Sequence, residues 1–410
     1  MSGELRGPLV GIRVLELGNF IAAPFAAKIF ADFGAEVIKV ERPQTGDELR
    51  AWRTEADVTS MLFRSVARNK KSLTLDLRSP AGREIVLDLA RQCDVIIENF
   101  RPGTLERWGI GPEALAAANP EVILVRISGY GQTGPYRDRP GFGSVAEAIG
   151  GLRFLTGEPD RPPVRAAASV ADTVAGLYAV IGALMLMLKR ARAADALEAG
   201  QLQTVDVALH EAVFSILESL VADYDAFGEV RARSGPTLPG VVPTGAYPCA
   251  DGTEVVIGAN SDNLFARLLI AMGRPDLAED PKYRGGAARA RHERELNALL
   301  RQWTLSLPAA EVVSRLQEAE VPVAPIYDAA GVAADEQFRA REMHVPFTVP
   351  VGNGEERVVR FPGIVPKLPG DAGAVLDAGP EVGQHTAEIL RDLLGRDDAE
   401  IARLAAEGVI

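Results

Sequence analysis

The sequence is poor in the residues that carry redox and metal chemistry. Its 410 residues include two cysteines and four histidines. Cys93 and Cys249 stand outside any CxxC motif, and the histidines do not have the short spacings of metal ligands. We therefore expect neither a disulfide framework nor a zinc site, and we expect a reducing, cytoplasmic compartment.

Basic charge is also in short supply. The chain has 44 Lys and Arg residues against 56 Asp and Glu residues, a net charge of −12. An acidic protein of this kind is not expected to bind nucleic acid in a general way. Between Arg50 and Arg107, however, basic residues outnumber acidic ones. This locally basic stretch is suited to an anionic ligand.

Long hydrophobic runs are rare as well, and the N-terminus has no apolar run typical of a secretion signal. Residues 166–188 are long enough to cross a membrane, but Asp172 lies inside the run and Gly176 and Gly182 interrupt it. We therefore predict a helix buried in the protein or in a subunit interface, and no membrane association. A carboxylate in such a helix needs a stabilising partner or a task, because burying it is costly.

The first 130 residues alternate between short apolar strands and amphipathic helices. This pattern predicts βαβ units and a parallel sheet. The predicted strands are 12–17, 35–41, 94–100 and 121–131, and the predicted helices are 22–34 and 79–92.

The remaining sequence predicts domain boundaries near residues 230 and 325. A long helix over the run 169–186, ending at Lys189 and Arg190, is followed by a second predicted helix over 204–229 and a Gly- and Pro-rich linker over 229–245. A hairpin turning at Asp251-Gly252, helices to about Glu320, a strand followed by a helix, and a terminal helix complete the chain. These boundaries divide the chain into 1–228, 229–325 and 326–410.

A nicotinamide cofactor is one candidate ligand for the first βαβ unit. Glu41 stands at the end of the second strand, as in dinucleotide-binding domains. The turn after the first strand, 17–24, contains one glycine where a GxGxxG fingerprint is required. The sequence therefore favours a plain βαβ unit over a nicotinamide site.

Three further features are candidates for binding or catalysis. The Gly-rich stretch 129–143 follows a predicted strand, where open α/β sheets bind ligands, although an ordinary connection has the same composition. Arg101 and Arg107 follow another strand and suit phosphate, although they also fit a solvated helix start. Asp172 fits a catalytic role, and with Ser169 it also fits a capping box.

Several stretches together resemble the class III CoA-transferase family (CaiB/BaiF-like), which includes formyl-CoA, carnitine and other acyl-CoA:carboxylate transferases. The resemblance covers nearly the whole chain in order. It rests on residues 9–17, 33–47, 68–77, 93–111, 129–135, 171–179, 200–212 and 383–390.

The resemblance implies an α/β fold. A large Rossmann-like domain with a parallel sheet is built from both chain ends, a smaller α+β domain lies in the middle, and two chains form an interlocked homodimer. Asp172 falls on the family's nucleophilic aspartate. Coenzyme A or acyl-CoA is the implied substrate, with a carboxylic acid as its partner and no permanently bound cofactor. The residues that fall where the family contacts CoA are Ile21, Ala22, Leu75, Arg78, Asn99, Phe100, Arg101 and Arg107.

The chain departs from the family's pattern at two places. The stretch 235–245 does not have the glycine run of formyl-CoA transferase, so we do not expect formyl or oxalate specificity. Where the 2-methylacyl-CoA racemases have a histidine, the chain has Phe142, which cannot move a proton. We therefore expect CoA transfer. The resemblance of residues 129–135 to family members that act on dicarboxylates implies a small dicarboxylate acceptor, such as succinate, malate or mesaconate.

Two other functions remain open at this point. One is a 2-methylacyl-CoA racemase or epimerase of the same family, and the other is a non-catalytic acyl-CoA-binding subunit of a heteromer. Arg139 and Arg165 are the nearest cations in sequence to the Gly-rich stretch and to Asp172. Either one is a candidate to bind the acceptor carboxylate, and either one equally fits a surface position.

Overall fold

The computed structural model describes residues 6–53, 59–192 and 202–410, and its contacts divide the chain into two units. The first unit comprises Met1–Leu152, Ala166–Glu218 and Gln337–Ile410, so both chain ends build it. The second comprises Arg153–Arg165 and Ser219–Glu336. The domain boundaries at 228 and 325 stay a prediction; the contact units change at 218 and 336.

A six-stranded parallel sheet forms the centre of the first unit, in the order β3-β2-β1-β4-β5-β6. This is the strand order of Rossmann folds, which bind ligands where the order reverses, between β1 and β4. All six strands lie within the first 208 residues, and the C-terminal segment adds helices and a hairpin to the unit. The strands are β1 Arg13–Glu16, β2 Glu36–Glu41, β3 Lys70–Thr74, β4 Val95–Glu98, β5 Ile123–Ser128 and β6 Gln203–Ala208.

The helices alternate with these strands, and further strands follow them. The helices are α1 Ala22–Asp32, α2 Met61–Ala67, α3 Pro80–Ala90, α4 Thr104–Arg107, α5 Pro112–Ala118, α6 Gly143–Ile149, α7 Leu152–Leu155, α8 Val170–Arg192, α9 Leu209–Phe214, α10 Leu220–Phe227, α11 Asp262–Ala271, α12 Gly286–Arg291, α13 Glu293–Thr304, α14 Ala309–Glu318, α15 Ala329–Ala334, α16 Glu336–Ala340, α17 Thr386–Glu388 and α18 Asp398–Ala406. Short 3₁₀ turns lie at Glu48–Ala51 and Pro275–Ala278, and a π-helical turn at Ile389–Leu393. The later strands are β7 Thr244–Pro248, β8 Glu254–Gly258, β9 Val323–Pro325, β10 His344–Gly352 and β11 Glu355–Pro362.

The central strands are apolar because both faces of the sheet are covered. Every residue of β4 and β5 is buried, as expected for a parallel sheet between two layers of helices. One core packs α1, α8 and α9 against the sheet, and the other packs α3, α5 and α18 against it. The sheet is therefore sandwiched, and its strand ends are free to form a site.

Helices α1 and α8 approach each other closely at Gly176. A Cβ atom at this position would lie 2.9 Å from Phe25 Cδ1 and 3.1 Å from the Ala22 carbonyl oxygen. A side chain at this position would require the Phe25 ring or the backbone at Ala22 to shift. The interruption at Gly176 in the apolar run is therefore a contact point between α1 and α8.

The predicted helix over 204–229 is wrong. Residues 203–208 instead form β6, which pairs with β5 in parallel register, Val205 opposite Val125 and Val207 opposite Ile127. The β-branched residues alternate along this segment, a pattern with the two-residue period of a strand. The rest of the segment is divided between α9 and α10.

The edge strand β3 is covered by a C-terminal segment, 374–386. Asn69 Nδ2 donates to the Ala374 carbonyl at 2.6 Å, and the Leu376 N–H donates to Asn69 Oδ1 at 2.7 Å. At the other end, the Thr74 N–H donates to Thr386 Oγ1 at 3.0 Å. Polar groups of the strand edge are thereby satisfied within the chain.

The second unit contains a three-stranded antiparallel sheet, β7-β8-β9. The predicted hairpin at Asp251-Gly252 is confirmed, because it joins β7 to β8. Helices α11, α13 and α14 pack a separate core on this sheet. The antiparallel hairpin β10–β11 of the first unit was not predicted.

Helix α8 is long and apolar enough to cross a membrane, with a mean hydropathy of 1.8 in its most apolar window. About a third of that window is buried within the chain. A core helix of a soluble protein has the same length and composition, so a single helix of this kind is weak support for a membrane span.

Candidate active site

A cavity of about 620 Å³ opens beside the carboxyl ends of β1 to β4 in the first unit. Four residues of the predicted CoA site line it: Leu75, Arg78, Phe100 and Arg101. Its remaining lining is Leu17, Asn19, Val40, Glu41, Arg42, Pro43, Gln44, Thr45, Glu48, Asp76, Leu77, Thr104, Trp108 and Gly408. The cavity therefore lies at the point of the sheet where Rossmann folds bind their ligands.

The cavity combines cations with an aromatic wall. Arg78 and Arg101 are exposed where they line it, and Arg42 forms an ion pair with Glu48. Phe100 and Trp108 pack edge to face with their ring centroids 5.0 Å apart. Arginine forks bind phosphate oxygens and aromatic faces bind planar bases, so the cavity suits a phosphorylated nucleotide.

The wall at Phe100 is anchored by a buried carboxylate. The Phe100 N–H donates to Glu98 Oε2 at 2.7 Å, and Arg126 Nε donates to Glu98 Oε1 at 2.8 Å. Burial raises the pKa of Glu98 to about 7, although Arg126 favours the ionised form. The Glu98 side chain is fully buried, so its charge is held by Arg126 and the backbone alone.

Asn99 and Arg107 support the cavity without lining it. Asn99 Oδ1 accepts from the Asn19 N–H at 2.9 Å, and Asn99 Nδ2 donates to the Asn19 carbonyl at 2.7 Å. Arg107 Nη2 donates to Thr104 Oγ1 at 2.9 Å. Both contacts fix a residue that does line the cavity, Asn19 or Thr104.

Ile21 and Ala22 lie at the start of α1, also outside the cavity lining. Ile21 occupies the N-cap position and Ala22 the first helical position, and both are buried. The Ala22 carbonyl faces the close approach at Gly176 of α8. These two residues therefore join the cavity side of α1 to the helix that carries Asp172.

The Glu41 carboxylate is occupied by hydrogen bonds within the chain, which argues against a role in binding the ribose of a nucleotide. Its carboxylate accepts from Arg50 Nη2 at 2.7 Å, from Ser72 Oγ at 2.6 Å and from the Asp47 N–H at 2.9 Å. Burial alone would raise the pKa of Glu41, but the bonds and charges of Arg50 and Lys39 hold it below its usual range. Glu41, the acidic residue of the weak nicotinamide pattern, is therefore not available to bind a ribose hydroxyl.

A buried ionic network holds the turn between β1 and α1. Lys39 Nζ lies 2.8 Å from both Glu16 Oε1 and Asp47 Oδ2, and it donates to the Gly18 carbonyl. Lys70 Nζ donates to Glu16 Oε2 at 2.6 Å and to the Pro24 carbonyl at 2.7 Å. Complete burial lowers the pKa of Lys70 to about 8 despite Glu16. Two lysines therefore hold the carbonyl groups at both ends of the turn.

Asp172 is half-buried in the first turn of α8. The Thr173 N–H donates to the Ser169 carbonyl at 3.0 Å, which places Ser169 at the N-cap and Asp172 three residues into the helix. The Asp172 carboxylate packs on Gly143, the first residue of α6: a Cβ atom at position 143 would overlap Oδ2 and lie 3.0 Å from Cγ. Glycine at 143 therefore makes room for this carboxylate.

Aromatic residues connect the cavity to Asp172. Phe142 directly precedes Gly143, and its ring centroid lies 5.6 Å from that of Phe20 in an edge-on arrangement. Phe20 follows Asn19 of the cavity lining and packs 5.3 Å from Trp52. A ligand that runs from the cavity towards Asp172 passes an apolar surface.

The Gly-rich stretch 129–143 folds back on itself beside this surface. A Cβ atom at Gly129 or Gly141 would lie 2.8 Å from the Cα atom of the other, so the two backbones touch. Within the loop, the Arg139 guanidinium lies 3.6 Å from the centre of the Tyr136 ring. Tyr130 contacts both Tyr136 and His210. The loop thus holds the Arg139 cation on the Tyr136 ring, in the segment that leads to Phe142.

The sequence did not identify several residues of this region. Arg42, Trp108 and Gly408 line the cavity, but only the fold brings them together. The segment 41–47 did carry a signal, because it follows a strand end as the known ligand-binding loops do. Among the described residues, 6–53, 59–192 and 202–410, no group of three His, Cys, Asp or Glu side chains is placed to hold a metal ion.

Comparison with known proteins relates this geometry to a family. The family model described as CoA-transferase family III matches residues 9–386. The chain is 45% identical to a succinyl-CoA–D-citramalate CoA-transferase of Chloroflexus aurantiacus over 98% of both chains. It is 41% identical to the succinyl-CoA–L-malate CoA-transferase beta subunit of the same organism, again over 98% of both.

A solved structure agrees with these matches. The fold is similar to that of a CaiB/BaiF family protein from Brucella suis, with a TM-score of 0.81 and 33% identity, covering 95% of this chain and 100% of the other. The resemblance and the α/β fold predicted from the sequence are confirmed. The chain therefore belongs to CoA-transferase family III.

Proposed function

We propose that this CoA-transferase moves CoA from succinyl-CoA to a small dicarboxylic acid, with Asp172 as the nucleophile. The observation that carries the proposal is the half-buried Asp172 carboxylate packed on Gly143, at the far end of an apolar surface that begins at the cavity. Relatives named for D-citramalate and L-malate support a dicarboxylate acceptor.

Two covalent intermediates account for the transfer. An Asp172 oxygen attacks the thioester carbonyl, the C–S bond breaks, and CoA leaves as a thiolate from an acyl–aspartyl anhydride. The thiolate then attacks the Asp172 carbonyl carbon, which releases the donor acid and leaves an aspartyl-CoA thioester. The acceptor carboxylate attacks this thioester to form a new anhydride and free thiolate, which takes the acceptor acyl group and restores the Asp172 carboxylate.

The cavity is the proposed site of the nucleotide end of CoA. Arg78 and Arg101 are suited to its phosphate groups, and Leu75 and Phe100 offer apolar contact to the base. Asn99 and Arg107 act through Asn19 and Thr104. In this arrangement, Ile21 and Ala22 border the path of the thiol-bearing arm towards Asp172. No permanently bound cofactor enters these steps.

Arg139 is the residue that we propose binds the second carboxylate of the acceptor. It lies in the loop that leads to Phe142, and its stacking on Tyr136 fixes the guanidinium plane. Replacing Arg139 with Gln is expected to raise the KM of dicarboxylate acceptors and to leave monocarboxylates unaffected. The matched control is Arg137→Gln in the same loop, where the arginine pairs with the neighbouring Asp138.

Racemisation is the second candidate reaction, and Phe142 counts against it. A racemase needs an acid and a base on opposite faces of the substrate carbon. Phe142, the residue that adjoins Gly143 beside Asp172, has no titratable group. Deuterium from solvent appearing at C2 of an acyl-CoA would support racemisation instead of transfer.

A role as one subunit of a heteromer is the remaining alternative. The L-malate relative is named as a beta subunit, so partner chains occur among the relatives. The presence of Asp172 favours a catalytic chain.

We propose a homodimer in the cytoplasm. Helix α8 supports the dimer because it exposes large apolar side chains, among them Tyr178, Ile181, Met185 and Leu188.

Mass spectrometry of CoA products tests the proposed function. The pure protein is incubated with succinyl-CoA and a pool of unlabelled organic acids, beside an Asp172→Ala control. A new acyl-CoA formed only by the unmodified protein supports both the transfer and the nucleophile. The same product from both proteins would mean that another residue is the nucleophile, and no product with several donors would reject the transfer.

A further inference from the structure

Phe20 has a backbone conformation that bulky residues avoid. Its φ angle is +63°, in the left-handed region that favours glycine. Strain of this kind persists only where the surrounding structure imposes it, and it is frequent at functional sites. Phe20 also follows Asn19 of the cavity and faces Phe142 beside Asp172, so the strained residue lies between the two parts of the site.

The buried ionic network imposes this conformation. The Phe20 N–H donates to Asp47 Oδ1 at 3.1 Å, while Asp47 Oδ2 is paired with Lys39 at 2.8 Å. Lys39 also donates to the Gly18 carbonyl, two residues before Phe20. Because Asp47 and Lys39 are both buried, the turn is held by charges that solvent does not screen. The conformation of Phe20 is thus fixed before any ligand binds.

Phe142 is fixed from the other side. Its carbonyl accepts from the Val145 and Ala146 N–H groups at 2.9 and 3.0 Å, as the N-cap residue of α6. Yet its side chain is 55% exposed, although it is large and apolar. A large apolar ring that is left exposed, on a backbone fixed directly before Gly143, is placed to meet a substrate rather than to fill a core.

We propose that Phe20 and Phe142 form a gate that keeps water from the covalent intermediates on Asp172. The inference rests on the proposed function, because it concerns the anhydride and the aspartyl-CoA thioester. Both contain an activated carbonyl that water can attack as well as a thiolate or carboxylate can. The two rings pack on each other directly before Gly143, on which the Asp172 carboxylate lies, and in this proposal they cover the approach to that carbonyl.

Loss of the gate opens a defined side reaction. A water oxygen attacks the Asp172 carbonyl of the aspartyl-CoA thioester, the C–S bond breaks, and CoA leaves. One proton of the water goes to the thiolate and the other to solvent, and the Asp172 carboxylate is restored. The net change is hydrolysis of acyl-CoA to acid and free CoA thiol. Transfer releases no net thiol, so the two outcomes are separable by chemistry.

The test compares thiol release with acyl transfer in the same reaction. The protein is incubated with succinyl-CoA and L-malate, the new acyl-CoA is measured by mass spectrometry, and free thiol is measured with a thiol reagent. In Phe20→Ala and Phe142→Ala, we expect the ratio of thiol to transferred acyl groups to rise about tenfold. Phe20→Leu and Phe142→Leu, which keep apolar bulk, are expected to restore most of the native ratio.

Controls separate the gate from general damage. Phe338→Leu changes an exposed phenylalanine elsewhere in the first unit and should leave the ratio unchanged. Phe20→Gly relieves the backbone strain, so its thermal stability should exceed that of Phe20→Ala while its thiol ratio stays high. A ratio that followed thermal stability across these variants would indicate a structural role and overturn the gate.

Two outcomes concern the intermediates themselves. Asp172→Ala is expected to abolish both transfer and thiol release, and thiol release that survived it would show that hydrolysis bypasses Asp172, against the gate. An unchanged ratio in folded Phe20→Ala and Phe142→Ala would also overturn it. If the unmodified protein transferred no acyl group to any acid, the proposed function would fail, a result distinct from loss of the gate.

Discussion

The position of the proposed catalytic carboxylate, on Asp172, depends on the absence of a side chain at residue 143. Asp172 packs where any Cβ atom on residue 143 would lie, so its position follows from the glycine as much as from its own helix. The absence of a side chain also permits a close contact at Gly141, whose backbone touches that of Gly129. The glycines of the stretch 129–143 therefore shape the site because they have no side chains, so other groups can lie against their backbones.

Replacing Gly143 with Ala is expected to displace the Asp172 carboxylate and to lower the transfer rate at least about 100-fold, since small misplacements of reacting groups are costly. The matched control is Gly286→Ala, because Gly286 is also the first residue of a short helix, α12, and its nearest neighbour to a Cβ atom is 3.8 Å away. Rates from single-turnover kinetics and helix content from circular dichroism check the pair. Equal activity in both variants would contradict the packing argument.

Glu98 gives the protein a pH-dependent stability. Its pKa is about 7 in the folded protein and 4.5 in the reference state, so the folded state binds the proton more tightly between these values. Stability from this group is therefore full below pH 4.5 and declines as pH rises to 7, by about 3 kcal/mol at most. Urea unfolding across this pH range, for the native protein and Glu98→Gln, measures the decline; the variant is expected to lack it.

Single residues differ in how far the sequence could predict them. Asp172 could be singled out because a lone acid in an apolar run demands an explanation, and Arg101 because an arginine beyond a strand end suits phosphate. Arg78 came only from the family resemblance, because the strand before it was not recognised. The roles of all three residues stay predictions. The conformation of Phe20 was not predictable. It depends on Asp47, Lys39 and Glu16, whose pairing exists only once β1 and β2 are side by side.

At the scale of elements, the site depends on the contact between α1 and α8. Helix α1 begins at Ile21 and Ala22, beside the cavity, and α8 carries Asp172 in its first turn. Gly176 sets the spacing of the two helices. A change in that spacing therefore moves the proposed nucleophile relative to the proposed CoA site.

Substituting Gly176 with Val is expected to lower the free energy of unfolding by about 1–3 kcal/mol through overpacking, and to raise the KM for acyl-CoA. Gly176→Ala should have the smaller effect of the two. The control is Glu84→Val on the exposed face of α3, expected to change stability by about 0.5 kcal/mol or less. Urea denaturation and steady-state kinetics provide both readouts, and an unperturbed Gly176→Val would contradict the close approach.

The sequence predicted elements well where local pattern and tertiary environment agree. Strands β1, β2, β4 and β5 are apolar runs and were found with errors of at most three residues at their ends. Strand β3 was not recognised as a strand because it begins with two lysines, and Lys70 becomes buried only through Glu16 of β1. Residues 204–208 were assigned to a helix because an apolar helix follows them directly.

At the scale of the whole molecule, the exposed apolar face of α8 favours a subunit interface. Met185 is 64% exposed, and Leu177, Ile181, Leu184 and Leu188 are exposed on the same helix. Exposed apolar groups on this scale are typical of subunit interfaces. A second copy of the chain is the occupant that we propose.

Sedimentation is expected to show a species of twice the chain's mass for the native protein. Met185→Asp should shift it towards the single-chain mass, because an unpaired charge in an apolar interface is costly. The control is Val358→Asp on β11, where the valine is 70% exposed outside α8. A native protein that sediments as a single chain, or a dimer indifferent to Met185→Asp, would count against this interface.

The cover over β3 has a consequence for synthesis on the ribosome. All six strands of the sheet have been translated by residue 208, but the Asn69 amide group, the Thr74 N–H and the Ser72 N–H find partners in residues 374–386. Through the intervening translation, at about 5–20 residues per second, the nascent sheet carries an uncovered edge. The nascent chain is therefore expected to need chaperone protection for many seconds, until its last segment emerges and covers that edge.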